Sequence, residues 1–200
     1  MNDRETGISR RAFLQRLALL GSLLAGYPAA ILAELRSAAP ARKSPGWVNE
    51  DPWKTLAAVL EHLFPAATNT PGASDIQAIA YLHSTIENPA ADGEDRTFLV
   101  NGVGWLNDLA REETGQPFVV LDEAQKEVLL RKIEQSRAGR NWLSRLLTYL
   151  LEALLADPVY GGNPDGIGWQ WLEHQPGYPR PPADKSWYKL AAPVHYQRKA

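Results

Sequence analysis

The chain has 200 residues, a formal net charge of −2 and no cysteine. Without thiols it forms no disulfide, ligates no iron–sulfur cluster, attaches no c-type haem and offers no thiolate zinc site. Residues 1–41 hold five Lys/Arg and three Asp/Glu, which leaves 16 basic against 20 acidic residues, a net −4, and no sign of a nucleic-acid-binding surface.

The N-terminal stretch Ser9-Arg10-Arg11-Ala12-Phe13-Leu14-Gln15 fits the twin-arginine export pattern S-R-R-x-F-L-K, with Gln in place of the final Lys. An apolar run from Leu17 to Ala33 follows, interrupted by Gly21, Gly26 and Pro28, and Ala39-Pro40-Ala41 supplies small residues at the spacing of a cleavage site. Residues 1–41 therefore read as a signal segment for export to the periplasm, cleaved after Ala41. The run is close to the shortest length that spans a bilayer, so an uncleaved membrane anchor stays open as the alternative. The twin-arginine route carries folded cargo, commonly with a cofactor already inserted. This chain shows no cofactor motif of its own, which fits an escort that takes across a partner lacking a signal.

Residues 42–51 read as a linker. Asp51 is expected to cap a first helix with Pro52 at its first position, where a missing N–H costs nothing. Trp53, Leu56, Ala57, Val59, Leu60, Leu63 and Phe64 form its apolar face as far as Pro65. Ser74 with Gln77 reads as a capping box for a second helix through Ile76, Ile79, Leu82 and Ile86. Asp92 opens a third helix to about Thr114, with Gly115 as its C-cap and Phe98, Leu99, Val103, Leu106 and Leu109 as its buried stripe. Gly102 and Gly104 either weaken that helix or permit close packing. Phe118–Leu121 reads as an extended segment laid on the core. Asp122 and Gln125 cap a fourth helix through Val128, Leu129 and Ile133, ending near Gly139. From Trp142 a fifth helix sets Leu143, Leu146, Leu147, Leu150, Leu151, Leu154 and Leu155 three and four apart, a stripe broad enough to be buried against several other helices. The fold expected is all-α, a single bundle of about five helices over residues 52–178.

Asp157-Pro158 ends the last helix, because Pro disfavours helical geometry in the residue before it. A glycine-rich loop follows, with Gly161, Gly162, Gly166 and Gly168 among Tyr160, Asn163, Asp165, Ile167 and Trp169. Such density points to positive-φ turns or close backbone approach. The string Asp157-Pro-Val-Tyr160-Gly161-Gly162-Asn163-Pro-Asp165-Gly166-Ile-Gly168-Trp169 resembles the C-terminal signature of the gluconate 2-dehydrogenase subunit 3 family. The resemblance covers roughly residues 54 to 178, including Leu63-Phe64-Pro65 and the Gly-Gln-Pro-Phe segment at 115–118. It implies a twin-arginine-exported, non-catalytic small subunit beside a large flavoprotein dehydrogenase that holds FAD, often with a cytochrome c subunit that holds haem c. On that reading the loop and the residues just after it form the partner interface or its scaffold. Tyr160, Trp169 and Trp171 are then the anchors, since aromatics carry a disproportionate share of interface energy. Asp157, Asn163 and Asp165 hold the loop together by capping and turn hydrogen bonds.

Other chemistry finds little support. His62, His83, His174 and His195 form no H-x-x-x-H or H-E-x-x-H pattern, and no G-x-S-x-G, P-loop or G-x-G-x-x-G is present. His62 and His83 read as surface or satisfied core histidines. Aligned as a calcium loop on Gly166, the sequence puts Leu172 where the twelfth-position carboxylate belongs, so an EF-hand is excluded, while an oxygen cage of Asp157, Asn163 and Asp165 stays open. Residues 179–200 are an irregular tail. Across the whole stretch from Gln175, Pro176, Pro179, Pro181, Pro182 and Pro193 alternate with Tyr178, Trp187, Tyr188 and Tyr196, stiff backbone with large anchors that suits docking on a surface. Two other functions stay open: an independent enzyme or small-ligand binder using the Asp157–His174 region, and a structural protein anchored in the membrane by its N-terminal run.

Overall fold

The computed structural model describes residues 45–89, 91–177, 180–186 and 189. The export motif with Arg10, Arg11, Phe13 and Leu14, the apolar run, the Ala39-Pro40-Ala41 site and the aromatics Tyr178, Trp187, Tyr188 and Tyr196 lie outside the described residues. Within them the architecture is all-α, with helices α1 (Trp53–Leu63), α2 (Ala78–Ile86), α3 (Gly93–Thr114), α4 (Glu123–Glu134), α5 (Arg137–Leu155) and α6 (Ile167–Trp171). Among the described residues there are no strands, only an isolated bridge between Ala67 and Thr70, and no helix long and apolar enough to cross a membrane. The sequence predicts about five helices; the sixth is α6, too short to show a 3.6-residue period.

The leucine-rich helix is the axis, as its stripe requires: α5 packs against α1, α2, α3, α4 and α6. Trp142, Leu146 and Ala153 are fully buried, with Leu150 and Leu154 beside them. Leu151 and Leu155 leave the stripe, at 36% and 45% exposure, whereas Tyr149 and Ala153, which widen it in the sequence, are buried as their place on it implies. The helix also starts earlier than Trp142. Ser136 is its N-cap and accepts from the Gly139 N–H at 2.9 Å, so α4 stops at Glu134 rather than near Gly139.

The third helix runs as predicted, from the Asp92 cap to Gly115, whose φ of +74° suits a residue without Cβ. Its stripe is shifted, however: Phe98 and Leu109 are half-buried, while Gly102, Asn107 and Ala110 face the core. The predicted capping box of α4 is present, with Asp122 and Gln125 exchanging side-chain-to-backbone bonds of 2.8 and 3.2 Å. Asp122→Ala is expected to lower unfolding free energy by about 1 kcal/mol, measured by urea titration. Val128 belongs to the outer face of α4, at 62% exposure, with Leu129, Leu130 and Ile133 inside.

Three local expectations fail for identifiable reasons. Helix α1 begins at Trp53, after a cis Asp51–Pro52 bond, with Pro52 in the cap position rather than inside the helix. Asp51 still reaches in: its carboxylate accepts from Thr55 N–H at 3.2 Å and Thr55 Oγ1 at 2.7 Å. The Ser74–Gln77 box does not form. Ser74 Oγ and N both donate to Glu61 on α1, and Gln77, at φ +54°, precedes the helix that starts at Ala78. Phe118–Val120 is a 3-10 turn, not an extended segment; the Phe118 side chain is fully buried and its N–H donates to Asn107 Oδ1 at 3.1 Å.

Candidate functional site

An α-helix leaves its last carbonyls without intrahelical donors. At the end of α5 the glycine-rich loop supplies two of the missing partners from side chains: Trp169 Nε1 donates to Leu155 O at 2.8 Å and Asn163 Nδ2 to Ala156 O at 3.0 Å. For this the loop must lie directly on the helix end. A Cβ at Gly162 would sit 2.9 Å from Ala153 O, and one at Gly168 only 2.1 Å from Leu154 O, so both positions need glycine for close approach.

The path starts with Asp157, which caps a 3-10 turn (Pro158–Tyr160) by accepting from Val159 N–H at 3.1 Å. Gly161 at φ +93° reverses the chain, and Ser84 Oγ on α2 donates to Tyr160 O at 3.2 Å. Asn163 follows, left-handed at φ +48° and fully buried. Its N–H donates to Ile76 O at 2.9 Å, and its Oδ1 accepts from Gly168 N–H at 2.7 Å. One residue thus joins the turn before α2, through its backbone N–H, to the end of α5 and the start of α6, through its side chain. A second 3-10 turn (Pro164–Gly166) carries the exposed Asp165, also left-handed at φ +56°, before α6 begins.

The aromatics divide. Trp169 is 8% exposed and spends its indole N–H on the end of α5, so it is part of the core. Trp171 meets Phe64 edge-on at 6.1 Å, and both Trp171 and Tyr160 remain half-buried, with surface left over. Outside the loop, Arg180 returns to it: Nε and Nη2 donate to the two Asp157 carboxylate oxygens at 2.7 and 3.2 Å, and its guanidinium carbon lies 5.1 Å from the Trp169 ring centroid. The Arg180 hydrogen bonds are the main reason the Asp157 carboxyl sits below its usual range, opposed by burial and helped by Val159 N–H. A carboxylate depressed in this way adds stability above its unfolded pKa and loses it as pH falls through the folded value.

Asp157 and His174 do not meet in a pocket: the Asp157 carboxylate is taken by Arg180 and Val159, and His174 is exposed, its backbone N–H donating to Trp169 O. Nor do Asp157, Asn163 and Asp165 form an oxygen cage, since Asn163 Oδ1 faces Gly168 N–H inside the loop while Asp165 is exposed outside it. Among the described residues no three His, Asp or Glu side chains gather where they could hold a metal ion.

The polar groups outside the loop are structural, His62 and His83 as the sequence suggests and the Thr55–Asn107 pair unforeseen by it. Thr55 and Asn107, both buried, link α1 to α3: Asn107 Nδ2 donates to Thr55 Oγ1 at 3.2 Å, within the network that Asp51 and Phe118 N–H complete. His62 has its two ring nitrogens 2.7 Å from Glu123 and Glu127, one turn apart on α4. His83 stacks on Trp47 at 3.9 Å, and burial lowers its pKa, partly offset by Glu87. Tyr81 packs over Gly162 and donates to Glu152 at 3.2 Å; burial first, then that carboxylate, push its phenol up to about 12. The pairs 62/123 and 55/107 are too far apart in sequence for any local pattern to show them.

An open groove of about 550 Å3 lies along the start of α3, lined by Asp92, Glu94, Thr97, Phe98, Asn101 and Trp105 among others. Phe98 and Trp105 touch edge-on at 5.9 Å. The lining holds neither a histidine nor a nucleophile–base pair, so it offers surface rather than chemistry.

A family model for gluconate 2-dehydrogenase subunit 3 matches residues 50–177, which takes in α1 to α6 and the whole glycine-rich loop. No curated protein and no solved structure matches the chain.

Proposed function

The chain belongs to the gluconate 2-dehydrogenase subunit 3 family, and on that premise we propose that it is a non-catalytic accessory subunit that binds, co-exports and stabilises a large dehydrogenase subunit. The family match over residues 50–177 is the observation that carries this reading. The loop supports it, because the polar groups a catalyst would aim at a substrate are here bonded to the protein itself. The partner is a flavoprotein holding FAD and oxidising a sugar, sugar acid or polyol, with a haem c-bearing cytochrome subunit as a further member of the complex. Export runs through the twin-arginine translocase by way of Arg10 and Arg11, and the complex resides in the periplasm at the inner membrane. Half-buried Tyr160 and Trp171 at the loop are the contacts offered to the large subunit.

The test is a pull-down of the tagged full-length chain from its native periplasmic and membrane fractions, with an absorption spectrum of the eluate. A large protein with flavin absorbance is expected, and Arg10→Lys with Arg11→Lys should hold both proteins in the cytoplasm. A chain that elutes alone and colourless overturns the proposal.

A further inference from the structure

Along the groove at the start of α3, an aromatic face meets one-sided charge. Trp105 is 39% exposed and is the one exposed large aromatic among the described residues. It meets Phe98 edge-on at 5.9 Å, and the exposed Asn101 lines the groove beside them. Helical spacing sets positions 94, 98, 101 and 105 in one row, acidic at its start and aromatic beyond. The carboxylates at the start have a local reason. Asp92 caps α3 by accepting from Glu94 N–H at 2.9 Å, and a helix N-terminus favours negative charge. Trp105 has no such reason, since Leu99, Val103 and Leu106 fill the core side of α3 without it. A large aromatic left in water beside a groove marks a surface that another molecule covers.

The charge says what kind of molecule. Two of the lining residues are acidic and none is basic. The cations of the neighbouring turns are engaged elsewhere, Arg96 with Glu87 at 2.8 Å and Arg145 with Asp95 at 3.1 Å. We propose that the groove receives an arginine of the large subunit, flanked by apolar residues: the guanidinium reaches the carboxylates of Asp92 and Glu94, while its stem and its neighbours cover Phe98 and Trp105. Arginine suits this place better than lysine, because its planar fork can serve two carboxylates and its stem is apolar. The inference rests on the accessory-subunit reading and adds a second contact to the one offered by Tyr160 and Trp171.

The test is the pull-down of the tagged full-length chain from its native fractions, read as the ratio of flavin to chain in the eluate. Glu94→Arg is expected to lower that ratio by about tenfold, since like charges facing each other across an interface repel. Trp105→Ala should lower it by at least about fivefold, as loss of an aromatic anchor does. Asn101→Arg sets a rival cation in the groove and should also lower the ratio, whereas Asn101→Glu should hold it at or above the parent value. All four side chains are exposed, so melting temperatures should stay near that of the parent. A parent eluate without flavin overturns the accessory-subunit reading and this inference with it. Flavin kept at the parent ratio by both Glu94→Arg and Trp105→Ala overturns the inference alone. Equal loss in Asn101→Arg and Asn101→Glu does the same, because bulk rather than charge would then decide. So does a fall in the size of the purified chain on gel filtration with flavin retained, which would assign the groove to a second copy of the chain.

Discussion

Asn163→Ala is expected to lower the unfolding free energy by about 3–5 kcal/mol, among the largest effects of any single polar substitution in this chain, by analogy with other buried polar deletions. The side chain is fully buried and both of its polar ends are committed, the amide N–H to Ala156 O and the carbonyl to Gly168 N–H. Alanine leaves those two backbone groups without their partner, the Gly168 N–H in a buried site and Ala156 O in a half-buried one, at roughly 1–3 kcal/mol each. The backbone adds to this. At φ +48° asparagine is tolerated where alanine costs about 1 kcal/mol. Urea unfolding followed by circular dichroism measures the difference. Asp165→Ala is the control: it also sits at positive φ, but its side chain is exposed, so it should carry only the backbone part. If Asn163→Ala loses no more than Asp165→Ala, the loop is not fastened to α5 in the way described. Loss of the fastening should also reach the start of α6, whose Gly168 N–H loses its acceptor, whereas the backbone bond from Asn163 N–H to Ile76 O survives the substitution.

This residue shows where the sequence was legible and where it was not. That the segment after Pro158 turns tightly was evident from Gly161, Gly162 and Gly166, and the last helix from its leucines, because both signals are local. Which groups the loop bonds was not local. Asn163 reaches Ile76 across 87 residues of sequence, and Arg180 reaches Asp157 from a proline-rich tail whose composition does not single out that carboxylate. The aromatics misled in a related way. Trp169 and Trp171 look alike in sequence, but they lie two residues apart on a one-turn helix and so face different ways. Trp169 closes the end of α5, while Trp171 meets Phe64 and keeps part of its surface. The failed box at Ser74 has the same origin: its hydroxyl prefers Glu61, a tertiary partner the local pattern cannot weigh. The predictions that held, the Asp92–Gly115 limits of α3 and the box of α4, are those whose hydrogen bonds close within one turn.

The two glycines inside α3 should respond in opposite directions to the same substitution. Glycine within a helix costs about 1 kcal/mol relative to alanine, so on propensity alone both replacements stabilise. At Gly104 nothing lies within 4 Å of an added Cβ, and Gly104→Ala is expected to raise stability by about 0.5–1 kcal/mol. At Gly102 the added carbon would lie 2.1 Å from Trp142 Nε1 and 2.2 Å from its Cδ1. Trp142 is fully buried on α5, and its Nε1 donates to Leu99 O, three residues before Gly102 on α3, at 3.1 Å. The indole therefore cannot yield without opening the contact between the two helices and losing that bond. Overpacking of this kind costs about 1–3 kcal/mol, and the stranded indole N–H and carbonyl a similar amount. Set against the propensity gain, Gly102→Ala should lose a net 2–4 kcal/mol or so, a fall in melting temperature of upwards of roughly 5 °C for a domain of this size. A thermal melt of both variants beside the parent decides it. Two stabilised variants would mean that α3 and α5 do not approach through Gly102. A loss at 102 with a gain at 104 identifies the closest approach of α3 to the central helix, and explains why one glycine of the Gly102-Val-Gly104 pair is required there while the other is free to change.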